Sequence, residues 1–219
     1  MAKTALMILE SPWWEIDENP GRASVFPFFH GLERLDDNVK VYHTTFYEGK
    51  SFRLALEDLS NTSRFNRLFL YIASHGNTRM IGKVPLTAVI DAIKSCASCS
   101  NIEGLIIGSC LAGMQVDLLK EAITGTSLVW AMGYAGYVDW FTSTLIDLAV
   151  MRGMLGATKR QLGDRDLLFQ RFRQAIARFD LDYALATDLD DKELSLRKAV
   201  SLVIQPKNVQ GAKPVSMSL

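Results

Sequence analysis

The chain predicts an α/β fold, a three-layer sandwich in which a mostly parallel sheet of about six strands carries helices on both faces. Three observations predict it. Short apolar runs such as Leu68-Phe69-Leu70-Tyr71-Ile72-Ala73 and Gly104-Leu105-Ile106-Ile107-Gly108, bounded by glycine and polar turn residues, read as strands covered on both sides. Between such runs lie stretches with apolar residues three and four apart, the signature of amphipathic helices. The two patterns alternate, and strand-helix-strand units close into parallel sheets through right-handed crossovers.

Taken in order, Ala5 to Leu9 is a short apolar strand running into Glu10-Ser11-Pro12-Trp13-Trp14, a loop that continues through Asn19-Pro20-Gly21. Val39 to Phe46 alternates and is rich in β-branched residues, a strand, and Ser51 to Leu59 sets Phe52, Leu56 and Leu59 at helical spacing. The strand that ends at His75 is followed by a turn region and by a helix starting near Pro85, with Leu86, Val89, Ile90 and Ile93 on one face. The strand that ends at Cys110 comes next. Met114, Leu118, Leu119 and Ile123 mark a further helix, and Ser127 to Ala131 resumes as strand. Thr142 to Leu155, with Leu145, Leu148 and Leu155 inward, and Arg165 to Phe179, with Leu168, Phe172, Ile176 and Phe179 inward, read as helices. Val200 to Ile204 is a last edge strand. Residues 1–204 read as a single domain, and 205–219, with two prolines and little apolar patterning, as a flexible tail.

Composition narrows the function. With 24 Lys and Arg against 24 Asp and Glu, no net positive field draws the chain to nucleic acid or to an anionic membrane, so neither is expected as a partner. The longest apolar stretch, Leu128 to Val138, stops at Asp139, short of the roughly 20 residues that span a bilayer. Met1-Ala2-Lys3 and the brief run after it lack a signal-peptide core, and three cysteines, Cys96, Cys99 and Cys110, then suggest reduced thiols and a cytoplasmic location.

Two of the strands end in reactive residues: Ser74-His75-Gly76 and Gly108-Ser109-Cys110. Parallel sheets place ligands beyond the carboxyl ends of their strands, and adjacent strands lie about 4.8 Å apart, so an imidazole and a thiol at two such ends can share one cleft. Histidine is a base near neutrality, and a thiol held beside it can ionise into a nucleophile. Gly76 lets a carbonyl approach its backbone N–H, and the N–H of Cys110 is a second candidate donor to an oxyanion.

The order strand-His-Gly, then strand-small-Cys, 35 positions apart, resembles the caspase and hemoglobinase-like cysteine peptidases of clan CD, which include bacterial caspase-like and CHAT-like domains. The resemblance runs from about Ala5 to Leu155 and extends to Val129-Trp130-Ala131-Met132-Gly133-Tyr134 and Val138-Asp139-Trp140, which are similar to the strand and loop that line the substrate site in that family. It implies a caspase-like fold and a cysteine endopeptidase in which His75 is the general base and acid, Cys110 the nucleophile, and the N–H groups of Gly76 and Cys110 the oxyanion hole. No cofactor or metal is implied. The strand from Ala131 through Met132 and Gly133 to Tyr134 would pair with an extended peptide or protein substrate. Asp139 would accept a P1 Arg or Lys; its other reading is an acid at a helix N-terminus before Trp140. The basic-specific metacaspases carry an acid two positions before the Cys, where this chain has Gly108. A preference for acidic residues would instead need pocket arginines, for which Arg22 and Arg79 are the candidates.

Three further features have plainer readings. Glu10 is either a second pocket acid or a solvated loop residue, and His30-Gly31, close after Pro27, reads as loop. Cys96-Ala97-Ser98-Cys99 is a lone CxxC without the further ligands a zinc site needs. Trp13, Trp14 and Trp140 are candidates to line a cleft, while Trp130 reads as core. The short span between Cys110 and Ser127 has no room for a cleavable linker, so the resemblance implies a single-chain enzyme whose control comes from a regulatory protein partner or from loop ordering. Two rival functions fit the same residues: a catalytically silent interaction module, and an acyl or thioester hydrolase using the same pair.

Overall fold

The computed structural model describes residues 4–12, 24–61, 65–207, 209 and 211–219. Trp13, Trp14, the Asn19-Pro20-Gly21 turn and Arg22 lie outside them.

The central sheet is built first from β1 (Thr4–Glu10), β2 (Val39–Thr45), β3 (Arg67–Ala73) and β6 (Ile102–Gly108), all mutually parallel. β7 (Trp130–Tyr134) continues it in parallel, and β11 (Val200–Ile204) and β12 (Val215–Met217) close it antiparallel. The strand order β12-β11-β7-β6-β3-β1-β2 makes seven strands, one more than expected. β11 is therefore interior rather than an edge. Part of the segment expected to be a flexible tail is itself an edge strand, because Val215, Ser216 and Met217 pair in register with Ile204, Val203 and Leu202.

Each strand divides its side chains between two cores. Leu6 and Ile8 of β1, Phe69 and Tyr71 of β3, Ile106 of β6 and Trp130, Met132 and Tyr134 of β7 face one side. That side is covered by α1 (Phe26–Leu35), α5 (Trp140–Leu155), the short α6 (Lys159–Leu162) and α7 (Arg165–Ile176). Ala5, Met7, Leu9, Leu68, Leu70, Ile72, Leu105 and Ile107 face the other, under α2 (Gly49–Ser60), α3 (Leu86–Cys99) and α4 (Val116–Ile123). The period of two along each strand thus produces the three layers.

Local chemistry sets the helix ends. Glu48 and Ser51 form a reciprocal capping box at α2, Asp139 caps α5 through the Thr142 N–H, and Asp164 caps α7 through the N–H groups of Asp166 and Leu167. The His30-Gly31 pair, expected as loop, lies inside α1: Pro27 occupies the first turn, where its missing N–H costs nothing, and Phe29 and Leu32 bury the helix. Met114, expected on a buried helical face, is 42% exposed in the single 3₁₀ turn Ala112–Met114, and the face of α4 is carried by Leu119, Ala122 and Ile123. On α5 the buried stripe is Ile146, Val150, Met151 and Met154, with Leu155, while Leu145 and Leu148 are half-buried.

Candidate active site

The register of β3 on β6 sets Tyr71 opposite Ile106 and Ala73 opposite Gly108. His75 and Cys110 each follow two residues beyond the last pair, so they leave the sheet at the same level. Their parity matters as much. His75 shares the face of Tyr71 and Ala73, and Cys110 the face of Ile106 and Gly108, so both belong to the side covered by α1 and α5. One pocket there, of about 290 Å³, is lined by Tyr71, Ala73, His75, Gly108 and Cys110 from the two strands and by Val138, Asp139, Trp140, Ser143 and Thr144 from the entry to α5.

A small hairpin holds the histidine turn. β4 (Met80–Ile81) pairs with β5 (Val84–Pro85), and Gly76 bridges Ile81 through the Gly82 N–H to the His75 carbonyl, 2.7 Å, and the Asn77 N–H to the Met80 carbonyl, 3.0 Å. Neither bond uses the Gly76 N–H. A side chain at 76 has no room, since a Cβ there would lie 2.9 Å from the Ser109 Cβ.

The cysteine turn is held as firmly. Leu111, nearly fully buried, adopts φ 62°, a left-handed conformation that a bulky L-residue enters only at a cost of order 1–2 kcal/mol. Its N–H donates to the Gly136 carbonyl at 3.2 Å, and the Cys110 thiol lies 3.9 Å from the Val138 carbonyl. The 3₁₀ turn that follows packs backbone to backbone on β7: a Cβ at Gly113 would be 2.6 Å from the Gly133 carbonyl, and one at Gly133 would be 3.1 Å from the Gly113 nitrogen.

Asp139 stands both at the helix start and on the pocket wall. It lines the pocket, and it is the N-cap of α5: its Oδ1 accepts the Thr142 N–H at 2.8 Å and the Thr142 hydroxyl at 2.8 Å. Those bonds hold its carboxyl below the usual range.

The expectation that Ala131, Met132, Gly133 and Tyr134 pair with a substrate backbone is corrected. They form a central strand with β6 on one side and β11 on the other, and all are buried, so no edge is open. Among the described residues β8 (Tyr137–Val138), beside Cys110, has an open edge, since it ends a second sheet of order β10-β9-β8 made with β9 (Ala184–Thr187) and β10 (Glu193–Ser195). Glu10 is corrected too. It is fully buried, accepts the Ser24 hydroxyl (2.6 Å) and the Val25 N–H (2.9 Å), and pairs with the His43 Nε2 at 2.9 Å. It thereby fixes the start of α1 and the Val25 wall of the pocket. Arg79 lies exposed in the bend before β4 and does not line the pocket. Cys96 and Cys99 sit in the last turn of α3, away from it.

One acid escaped the sequence reading. Asp147 on α5 is fully buried directly under the pocket wall, where Tyr71 donates to its Oδ2 at 2.9 Å and Tyr134 to its Oδ1 at 2.7 Å. Burial outweighs both hydrogen bonds and raises its pKa to about 7. The signal was present in Ser143, Thr144 and Asp147, polar residues at i, i+1 and i+4 on an otherwise apolar helix stripe.

The fold is caspase-like, as the motif order led one to expect. The chain is similar to the solved structure of a secreted C11 cysteine protease from Bacteroides thetaiotaomicron in complex with an irreversible peptide inhibitor, with a TM-score of 0.56 at 9% identity over 93% of this chain and 66% of that one. It is similar also to the structure of the secreted C11 protease from that organism called iotapain, with a TM-score of 0.55 at 8% identity over 92% and 67%. This chain thus spans about two thirds of the length of those proteases. No protein-family model and no curated protein matches it. Among the described residues no helix is long and apolar enough to cross a membrane.

Proposed function

We propose that the chain is a cysteine endopeptidase acting on peptide or protein substrates through a His75–Cys110 pair. The observation that carries the reading is the matched exit of the two residues from adjacent parallel strands, on one face, into one pocket. In the reaction the Cys110 thiol gives its proton to His75, and the thiolate attacks the scissile carbonyl. The oxyanion is met by the N–H groups of Gly76 and Cys110, the amine leaves with the proton from His75, and water hydrolyses the thioester with His75 again as base. An extended substrate lies along β8, the open edge beside the nucleophile. Asp139, with one carboxylate oxygen committed to the cap, offers the other to a P1 Arg or Lys.

The test is a set of peptide acyloxymethyl ketones differing at P1, followed by mass spectrometry of the labelled chain. Stoichiometric labelling confined to Cys110, lost in His75→Ala and fastest for P1 Lys or Arg, supports the reading. Even labelling of Cys96, Cys99 and Cys110, insensitive to His75, overturns it.

A further inference from the structure

At the end of the sheet opposite Cys110, a cavity of about 560 Å³ opens at the starts of β3 and β6, where Arg67, Glu103, Lys159, Lys207, Asn66 and Asn101 come together. Its only carboxylate among the described residues is already used on both oxygens. Glu103, almost fully buried, takes the Arg67 Nε at 2.5 Å on one oxygen and the Lys207 Nζ at 2.7 Å on the other. Arg67 also donates through Nη1 to the Leu155 carbonyl at 2.9 Å, while its buried Nη2 has no acceptor among the described residues. A fourth cation stands close by: Arg171, on α7, donates to the Gly153 carbonyl at 2.6 Å, and burial together with the charge of Arg67 holds its guanidinium below its ordinary pKa.

Part of this has a structural explanation. Two arginines on the last carbonyls of α5 compensate the negative end of a helix, and Glu103 offsets their charge. That account leaves Lys159, the spare Arg67 donor and the two asparagine amides without a role. It also leaves a local excess of cations in a chain whose charges balance overall at 24 and 24.

We propose that this cavity is a binding site for a phosphate monoester, with Arg67, Lys159 and Lys207 as its cationic donors and Asn66 and Asn101 as neutral ones. Among the described residues, three lining cations against one carboxylate leave two positive charges in excess, the charge of a monoester dianion. The volume exceeds that of bare phosphate and leaves room for a small organic group against Ala157 and Leu162. The site is independent of the peptidase reading, since none of its residues lines the Cys110 pocket.

Calorimetric titration of the full chain with adenosine monophosphate and with inorganic phosphate, at constant ionic strength set by chloride, tests the proposal, with citrate as the carboxylate comparison. Saturable binding of the monophosphate is expected, weakened about tenfold or more in Lys159→Ala, which leaves the Glu103 ion pairs intact, and in Lys207→Gln. Should Lys207→Gln fail to fold, Lys159→Ala alone decides. Absence of saturable binding, binding unchanged by Lys159→Ala, or citrate binding at least as tightly as both phosphates overturns it.

Discussion

Gly108 and Tyr71 stand so close across the β3–β6 ladder that a Cβ at 108 would lie 2.6 Å from the tyrosine oxygen and 2.8 Å from a ring carbon. The place two residues before the cysteine, which holds an acid in the basic-specific metacaspases, is here filled from the neighbouring strand by a phenol whose hydroxyl is bound to Asp147.

Gly108→Ala is therefore expected to destabilise the fold by about 1–3 kcal/mol, the cost of overpacking, as read from the denaturant midpoint. Gly108→Asp should be worse and should not sharpen cleavage after Lys or Arg. A Gly108→Ala chain as stable as the parent would show that Tyr71 swings aside freely.

Cys110→Ala and His75→Ala should each abolish turnover while the melting profile stays near the parent's, and the double variant should lose no more than either single one. Cys96→Ser and Cys99→Ser should be almost silent, since both lie outside the pocket. Activity surviving in Cys110→Ala would remove the nucleophile assignment.

The P1 role proposed for Asp139 separates by substitution from its capping of α5. Asn is as good an N-cap as Asp, so Asp139→Asn should keep stability within a few tenths of a kcal/mol yet cut cleavage after Arg or Lys by about fivefold, the scale of an exposed ion pair, since Asp139 is solvent-exposed. Asp139→Ala should show the same loss and also destabilise by about 1 kcal/mol. Equal Arg and Lys cleavage by parent and Asp139→Asn would confine the residue to capping α5.

Asp147 links stability to pH with a definite sign. Its folded pKa of about 7 lies above the ordinary 3.8, so between those values the folded chain holds a proton that the unfolded chain has released. Stability should then fall as pH rises from about 4 to about 7, at up to 1.36 kcal/mol per unit and about 4 kcal/mol in all, and level off above. Asp147→Asn should flatten this slope and be the more stable protein at pH 8. Denaturant melts across pH 4.5–8 would expose the opposite result, a parent and variant with parallel profiles.

How much of this was legible follows from where each interaction originates. The strands of β1, β3 and β6 were readable because burial on both faces forces continuous apolar runs, and the parity of His75 with Tyr71 and of Cys110 with Ile106 is already written in those runs. β8, β10 and β12 were not, being two or three residues long and largely exposed. Glu10 looked like a loop acid because its partners, Ser24, Val25 and His43, lie 14 to 33 positions away, and local pattern carries no trace of such pairings. Pro27 reads by itself as a breaker, yet its position in the first turn of α1 makes it a starter. The β-addition expected of Ala131 to Tyr134 failed because strand identity says nothing of neighbours: β11 arrives from near the far end of the chain and takes the open side.

The contact between Gly113 and Gly133 ties two distant stretches of sequence into a single heritable unit. A side chain gained at either position would push the turn off β7 and carry Cys110 with it. Homologues that drift at one are therefore expected to rebuild both or to lose the register of the thiol. Substitution is expected to be freer on the opposite wall, where Val138, Trp140, Ser143 and Thr144 can change one at a time without moving Cys110.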